Sequence, residues 1–231
     1  MLYEHRTGGL PMNGSQSRQF RVRTRGPLAC FTRPEMKVER VSYEVMTPSA
    51  ARGVLEAVLW KPAIGWRIHE IAVLAPIAWT SFRRNEVSSR MSARRGDYFA
   101  EDDRTQRHTV ALKDVDYVIT ASFVMTDKAG PQDSVRKFEE MFERRLEKGQ
   151  HFHQPYLGCR EFAADVEPAP EHVHSVHHGI DRPLGLIFYD FERDEENVRP
   201  LFFDARLRNG IVHIPTIQEA RKQTAGSEVS P

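Results

Sequence analysis

Cysteine is scarce in this chain of 231 residues, which has two, Cys30 and Cys159. They lie far apart in the sequence and lack the short spacing of metal ligands, so the pattern argues against a cysteine metal site and indicates a reducing compartment. Free cysteine is among the most buried residue types. We therefore interpret both as small buried apolar groups rather than as a disulfide.

Long hydrophobic runs are also missing. No stretch has the length of a membrane span, and the first residues do not resemble a secretory signal peptide. Hydrophobic residues make up 40% of the chain and charged residues 28%, which is typical of a globular protein. We predict a cytoplasmic protein with no membrane partner.

An excess of charge of one sign is the third absence. The chain has 33 lysines and arginines against 32 acidic residues, a net charge of +1, so its overall field would not attract a polyanion. Any nucleic-acid site must come from local clustering. One basic cluster lies near the N-terminus, at Arg18, Arg21, Arg23, Arg25, Arg33, Lys37 and Arg40. A second is Arg83, Arg84, Arg90, Arg94 and Arg95.

Hydrophobic periodicity divides the chain into elements. Residues 1–19 and 218–231 lack a periodic apolar pattern, so we expect a flexible leader and a disordered tail. Between them, alternation predicts strands at 20–25, 66–77, 115–125 and 161–166. Helical spacing predicts one helix from Thr47-Pro48 to Trp60 and another from Asp133 or Ser134 to Gly149.

This order of elements predicts an α+β fold. Strand, helix, strand, strand, helix, strand is typical of a ferredoxin-like sheet, also called RRM-like, with both helices on one face. We assign it to residues 20–169. Two apolar runs with a turn at Asn209-Gly210 predict a small C-terminal β appendage at 170–217. The open face of such sheets commonly binds single-stranded RNA, which favours RNA binding as one of the many functions that this fold hosts.

Several segments resemble a known family. The longest is residues 29–64, which begins Ala-Cys-Phe-Thr-Arg-Pro and includes Thr47-Pro48 and Trp60-Lys61-Pro62. Shorter ones are Arg-Arg-Asn-Glu-Val (83–87), Thr-Asp-Lys-Ala-Gly (126–130), Leu-Gly-Cys-Arg-Glu-Phe (157–162), Asp-Phe-Glu-Arg-Asp (190–194) and Pro-Leu-Phe-Phe (200–203). Together, from about residue 20 to 215, they resemble the Cas-five family of type I-C CRISPR systems (Cas-five-d, or Dvulg subtype), in the RAMP superfamily.

The resemblance implies a ferredoxin-like RAMP domain with a protruding basic β-hairpin and a short C-terminal β domain. It also implies a subunit of the type I-C Cascade complex that holds the 5′ handle of the crRNA and cuts the repeat hairpin of pre-crRNA. The implied partners are these RNAs, the backbone and large subunits, and target DNA reached through the complex. The implied cleavage uses no metal and no other cofactor.

In that reaction the ribose 2′-OH attacks the neighbouring phosphorus and leaves a cyclic phosphate. Proton transfer and charge stabilisation are needed. In the family these roles fall to a Tyr or His before the Trp-Lys-Pro motif and to a Lys-His pair that opens the second helix. Here Leu59 and Phe138 stand at two of these positions, and both fit the apolar face of a helix. Only Lys137 is retained as a catalytic candidate.

Other residues are candidates for proton transfer or RNA binding. Histidine or tyrosine recruited from elsewhere could replace the lost groups: Tyr43, His69, His108, His151 or His153. The candidate RNA-binding residues are Arg21, Arg23, Phe31, Arg33, Lys37, Arg40, Arg83, Arg84 and Arg136. Phe31 could stack on a base, with simple packing as the alternative. Arg83 and Arg84 are expected to lack acidic partners, and Trp60 and Trp66 are interpreted as core. His172, His174, His177 and His178 are interpreted as surface histidines rather than a metal site.

Three hypotheses stay open at this point. The chain is a ribonuclease that stays bound to its product, or a non-catalytic subunit that grips the handle while another nuclease cuts. A third, weaker interpretation keeps only an RNA-binding ferredoxin-like domain. Cleavage of a hairpin repeat RNA in EDTA separates the first two, and preference for the handle sequence argues against the third.

Overall fold

One extended β-sheet organises the chain in the computed structural model, which describes residues 15–36, 38–88, 99, 101, 103–193 and 198–227. Within these residues the elements are β1 (Phe20–Ala29), β2 (Arg40–Val41), α1 (Pro48–Val58), β3 (Ile64–Val73), β4 (Ala78–Val87), β5 (Arg104–Met125), α2 (Val135–Glu147), β6 (Asp165–Pro168), β7 (Asp181–Arg193), β8 (Val198–Arg208), β9 (Ile211–His213) and α3 (Ile217–Ser227).

The sheet follows the order β6-β1-β5-β3-β9-β8-β7, with β2 and β4 paired to β5. Strands β1, β3, β5 and β6 with helices α1 and α2 form the predicted ferredoxin-like arrangement, so the α+β fold class is confirmed. The fourth strand, predicted at 161–166, is shifted to Asp165–Pro168. The shift arises because residues 157–162 form a turn, in which the Phe162 amide donates to the Cys159 carbonyl.

Helix α1 begins where the sequence predicts. The Thr47 hydroxyl accepts a hydrogen bond from the Ala50 amide at 3.2 Å, and Pro48 occupies the first turn, where its missing N–H costs nothing. Val54, Leu55 and Val58 are buried on one face. The helix ends at Val58, two residues before the predicted end at Trp60.

Helix α2 packs an aromatic core against the sheet. The Ser134 hydroxyl caps its start by accepting from the Lys137 amide. Phe142 lies with its ring centroid 5.0 Å from Phe20 and 4.7 Å from Trp66, and Phe138 packs edge-on to Phe123. Such aromatic contacts bury large apolar areas, so the predicted core role of Trp66 is confirmed.

The two ends of the described chain are more ordered than predicted. The Ser17 amide donates to the Phe123 carbonyl at 2.9 Å, and the Met125 amide donates to the Ser15 carbonyl at 3.1 Å. Residues 15–19 are therefore tied to β5 and are not part of a free leader. Residues 1–14 lie outside the described residues.

The predicted disordered tail contains helix α3. Thr216 and Glu219 form a capping box: the Thr216 amide donates to the Glu219 carboxylate at 2.8 Å, and the Glu219 amide donates to the Thr216 hydroxyl at 3.4 Å. Ala220 is fully buried, and the Thr224 hydroxyl is hydrogen-bonded to the Phe202 backbone. A Thr-x-x-Glu start was present in the sequence and is the signal that the prediction missed.

The C-terminal strands continue the main sheet. Strand β9 pairs with β3, with Ile71 opposite Val212, so the segment 170–217 shares its sheet with 20–169. The turn at Asn209-Gly210 is confirmed, with positive φ angles of 51° and 81°. These angles are typical of the type I′ turn that Asn-Gly favours.

A β-hairpin extends from the sheet, as the resemblance implied. Strand β4 pairs antiparallel with the first half of β5, from Ala78 opposite Lys113 to Val87 opposite Arg104. The periodicity analysis placed no strand on either side of this hairpin. Arg90, Arg94 and Arg95 lie outside the described residues.

The face of the sheet opposite α1 and α2 is partly covered. Arg21 and Arg25 point to this helix-free face because they alternate with the buried Phe20, Val22 and Thr24. Arg21 donates to the Pro170 and Glu171 carbonyls, and the Val176 amide reaches the Leu74 carbonyl. Residues 169–180 thus cross this side of the sheet, which the prediction took to be open.

In the part of the chain that the structure describes, no helix is both long and apolar enough to span a membrane.

Candidate RNA interface and lysine cleft

A cleft of about 300 Å³ opens between the segment after α1 and the start of α2. We call it the lysine cleft. Its lining residues are Lys61, Pro62, Ala63, Lys128, Asp133, Lys137, Phe138 and Met141. Lys137, the catalytic candidate, therefore lies beside residues that immediately follow Trp60, as the resemblance implied.

The lysine cleft is basic. Three lysines line it against one acidic residue, Asp133. The Lys137 ammonium donates to one Asp133 oxygen at 2.9 Å, and the Gly130 amide donates to the other at 3.0 Å. These two hydrogen bonds, with the charge of Lys61, lower the pKa of Asp133. Asp133 is consequently ionised at neutral pH, and the cleft keeps a net positive charge suited to phosphate.

Hydrogen bonds fix the wall of the cleft. The Trp66 indole donates to the Leu59 carbonyl at 3.1 Å, and Thr126 donates from its hydroxyl to Pro62 at 2.6 Å and from its amide to Ala63 at 2.9 Å. Strand β5 ends at Met125, so Thr126 joins the loop after α1 to the end of the central strand. These hydrogen bonds hold the segment that contains Lys61 in place against β3 and the end of β5.

Leu59 and Phe138 are core residues, as helical spacing predicted. They are 0% and 2% exposed. Phe138 also contributes to the cleft wall, where Lys137 lies over its ring at 5.5 Å. Neither side chain can transfer a proton.

The five residues considered for recruitment do not line the lysine cleft. Tyr43 is buried, which raises its pKa, and Arg33 covers its ring at 4.7 Å. His69 bonds the Ser122 hydroxyl at 2.7 Å, and desolvation lowers its pKa. His108 lies on the hairpin, His151 lines a separate cleft, and His153 stacks beside Tyr156.

The cleft residues that sequence reasoning missed are Lys61, Lys128 and Asp133. Lys61 belongs to the Trp-Lys-Pro motif, and Lys128 belongs to the segment Thr-Asp-Lys-Ala-Gly at 126–130. Both segments carried the family resemblance, so the signal was present. What the sequence could not provide was their proximity across 67 residues.

The β4–β5 hairpin has two unlike faces. Its inner face holds an ion network in which Arg40 contacts Glu86 and Glu161, Arg84 contacts Glu161, and Arg107 contacts Glu86. The expectation that Arg84 lacks an acidic partner is therefore wrong. Arg40, another RNA-binding candidate, is also neutralised by acids that are distant in sequence.

The outer face of the hairpin is exposed. It carries Trp79, Arg83 and Asn85 on β4, with Arg83 opposite His108 on β5. No acidic side chain among the described residues pairs with Arg83. Of the two described arginines of the second basic cluster, Arg83 on this outer face is the one suited to phosphate contact.

The RNA-binding candidates outside the hairpin differ in the groups that they contact. Arg23 makes a two-pronged contact with Asp116, at 3.0 and 2.6 Å, and this hydrogen bonding raises its pKa. Arg21 holds the crossing segment, and Arg33 lies over Tyr43. Lys37 lies outside the described residues. Arg136 is 87% exposed and pairs with Glu140 on the same helix, so it does not line the lysine cleft.

Two aromatic predictions are wrong. Phe31, an RNA-binding candidate that could stack on a base or simply pack, is 2% exposed and packs edge-on against Tyr117 at 6.0 Å. Its amide also donates to the Ser42 hydroxyl, because the excursion after β1 folds back on the sheet. Trp60, interpreted as core, is 50% exposed because α1 ends before it.

The cysteines are free and buried, as predicted. The Cys159 thiol lies 3.7 Å from the Cys30 carbonyl oxygen. Among the described residues no group of histidines, cysteines and acids could hold a metal ion. His177 of the histidine cluster instead contacts the Ala75 carbonyl at 3.0 Å.

Solved structures share this fold. A structure described as a CRISPR-associated protein has a TM-score of 0.70 at 25% identity and covers 90% of this chain and 96% of its own. A functionally uncharacterized protein from Streptococcus mutans has the same TM-score at 23% identity, covering 90% and 97%. A chain of a CRISPR RNA-guided surveillance complex, at 14% identity and TM-score 0.50, resembles it in fold alone. By its fold, this chain falls in the class of CRISPR-associated proteins.

Sequence comparison gives the family. A family model described as CRISPR-associated protein (Cas_Cas5), with the name Cas_Cas5d, matches residues 20–215. Two relatives are named CRISPR pre-crRNA endoribonuclease Cas5d. The one from Mannheimia succiniciproducens is 46% identical over 215 residues, covering 85% of this chain and 95% of the relative. The one from Thermus thermophilus is 42% identical, covering 85% and 91%. The chain belongs to the Cas5d family.

Proposed function

We propose that this chain is a pre-crRNA endoribonuclease that cuts the CRISPR repeat RNA and then holds the crRNA 5′ handle in a type I-C Cascade complex. Family membership and the names of the two relatives support this proposal. The observation that carries it is the lysine cleft, where Lys61, Lys128 and Lys137 meet at the start of α2.

The cleft offers electrostatic stabilisation. When the ribose 2′-OH attacks the adjacent phosphorus, negative charge grows on the phosphorane oxygens, and the 5′ oxygen of the next nucleotide leaves. Lysines positioned around that phosphate stabilise the developing charge. Asp133 fixes the Lys137 ammonium at the cleft wall. The product would be a 2′,3′-cyclic phosphate and a 5′-hydroxyl.

Proton transfer is the weak part of this site. Among the described residues, the titratable groups lining the cleft are three lysines and Asp133. Because general acid–base groups typically contribute about 10²- to 10⁴-fold, we expect cleavage to be slow. Positioning and charge stabilisation still act without them.

Handle binding would use other surfaces. The outer face of the hairpin, with Arg83 and Trp79 exposed, combines a cation with an aromatic ring, as single-strand binding surfaces do. Arg25 on the helix-free face is 46% exposed but pairs with Asp165 and Glu167, so it adds little positive charge to this surface. The remaining Cascade subunits and target DNA are proposed partners through the assembled complex, in the cytoplasm.

A second candidate function is a non-catalytic subunit that binds the handle while another nuclease cuts the precursor. The buried Leu59 and Phe138 favour it, because neither can act in proton transfer at the positions where the resemblance implies catalytic groups.

The test is incubation of the purified protein with a hairpin repeat RNA in EDTA. The endoribonuclease proposal predicts a single cut whose upstream product ends in a 2′,3′-cyclic phosphate. A repeat with 2′-deoxyribose at the cut nucleotide should bind equally but stay whole. Tight binding of an unmodified repeat that remains uncut after prolonged incubation would favour the binding subunit instead.

A further inference from the structure

Trp60 is a large aromatic side chain that the fold leaves half exposed. Trp60 directly follows Leu59, the C-cap residue of α1, and is 50% exposed to solvent. Trp66, only six positions later, is 4% exposed. Among the described residues no aromatic ring packs on the Trp60 indole. An exposed tryptophan next to a buried one is a feature that core packing does not explain.

The backbone around Trp60 is held in place. The preceding carbonyl, of Leu59, accepts from the Trp66 indole, and the Leu59 amide donates to the Leu55 carbonyl. On the other side, Thr126 binds Pro62 and Ala63. Trp60 is therefore presented from a segment anchored to α1, β3 and the end of β5. A preorganised aromatic loses little conformational freedom when a ligand packs on it.

Trp60 is also adjacent in sequence to Lys61, which lines the lysine cleft with Lys128 and Lys137. Proteins that bind single-stranded nucleic acid combine basic grooves that follow the backbone with aromatic rings on which bases stack. Here the exposed ring of Trp60 immediately precedes a cleft lysine in the sequence, although Trp60 itself does not line the cleft.

We propose that Trp60 is a stacking platform for one unpaired nucleobase of the RNA, next to the phosphate held in the lysine cleft. This inference rests on the proposed function, and it assigns the subsite beside the cut. The ligand is a single-stranded nucleotide, because a base inside a duplex has both faces covered by its neighbours.

The test pairs a protein change with an RNA change. Binding is measured with a repeat RNA made uncleavable by one 2′-deoxyribose, and then with a series in which single nucleotides near the cut are made abasic. Trp60→Ala should weaken binding of the intact RNA about tenfold, and Trp60→Phe should restore most of it. Phe191→Ala, which removes an aromatic side chain 42% exposed on β7, is the matched control and should bind normally.

The decisive result is whether the effects of the Trp60→Ala change and of an abasic nucleotide are coupled. One abasic position should cost the wild-type protein about tenfold and cost Trp60→Ala almost nothing further. Wild-type affinity of a normally folded Trp60→Ala, or equal abasic losses in both proteins at every position, would overturn the inference while leaving the proposed function intact. If the wild-type protein neither binds nor cuts the repeat, both proposals fail together.

Discussion

At the residue scale, the exposures of Phe31 and Trp60 are the reverse of what sequence reasoning expected: Phe31 is buried and Trp60 is half exposed. Helical spacing correctly places Leu59 and Phe138 in the core, because a helix repeats its buried face every three to four residues. Phe31 lies in an irregular segment without such a period, so its burial depends on Ser42 and Tyr117, which the sequence does not place beside it. Trp60 stands just past a helix end that was predicted two residues too late.

The burial of Phe31 predicts the effect of Phe31→Ala. Truncating a buried phenylalanine typically costs about 3–5 kcal/mol, so the melting temperature should fall clearly, while protein that remains folded binds RNA as before. Chemical denaturation beside a binding isotherm measures both. Lost affinity at an unchanged free energy of unfolding would restore the base-stacking interpretation of Phe31.

Phe138→His tests proton transfer in the lysine cleft. Phe138 borders the cleft, so an imidazole there would meet the bound phosphate, and the cleavage rate should rise at least tenfold, about 1.4 kcal/mol. The rate should then change near neutral pH, where an unperturbed imidazole titrates. The variant should also be less stable, because a polar ring replaces a core side chain. A rate unchanged by a variant that folds would place the leaving-group chemistry elsewhere.

At the element scale, the hairpin separates arginines that look alike in sequence. Arg83 faces outward, and Arg84 contacts Glu161 and donates to Thr109 at 3.0 Å. Strand alternation predicts opposite faces for neighbours, but Glu161 lies 77 residues away from Arg84. The sequence therefore could not show that one of the two arginines is neutralised.

The hairpin faces predict a difference between two variants. Arg83→Ala should weaken RNA binding and flatten the salt dependence by about one unit, since one fewer phosphate is neutralised. Arg84→Ala should lower the melting temperature instead, because Glu161 loses one of its two arginine partners and keeps only Arg40. Measuring affinity at several salt concentrations, beside melting curves, distinguishes them. The reverse pattern would mean that the inner face contacts RNA.

Helix α3 gives a pH-dependent prediction. Glu192 is desolvated, but hydrogen bonds from Arg199 and Arg221 outweigh this and lower its pKa. A lowered folded-state pKa stabilises the fold above the unfolded value of about 4.3, and this stabilisation is lost as the pH falls through the folded-state pKa. Attachment of α3 should therefore weaken below about pH 4.

Glu192→Gln should loosen α3 at neutral pH in the same way, so trypsin should cut sooner at Arg221 and Lys222. Glu140→Gln, which removes a remote surface pair with Arg136, serves as the control. Equal protease resistance of both variants would show that the ion pairs do not hold the helix.

At the scale of the whole molecule, the periodic elements could be predicted and the long-range contacts could not. Helices α1 and α2, their caps and the central strands follow from local spacing and capping chemistry. The joining of β9 to β3 and the passage of residues 169–180 over the sheet depend on partners about a hundred or more residues apart. The lysine cleft also depends on long-range contacts. Lys137 was identified through resemblance, but Lys61 and Lys128 become cleft residues only when the chain is folded.

The lysine cleft is also the central claim about function, and single-turnover cleavage of the repeat RNA by matched lysine variants tests it most directly. Lys61→Ala and Lys137→Ala should each slow cleavage at least tenfold, because each removes positive charge from the phosphate site. Lys148→Ala, which removes an exposed lysine at the other end of α2, should cut at the wild-type rate. Unchanged rates in both cleft variants, with normal folding, would show that the RNA is cut somewhere else on the protein.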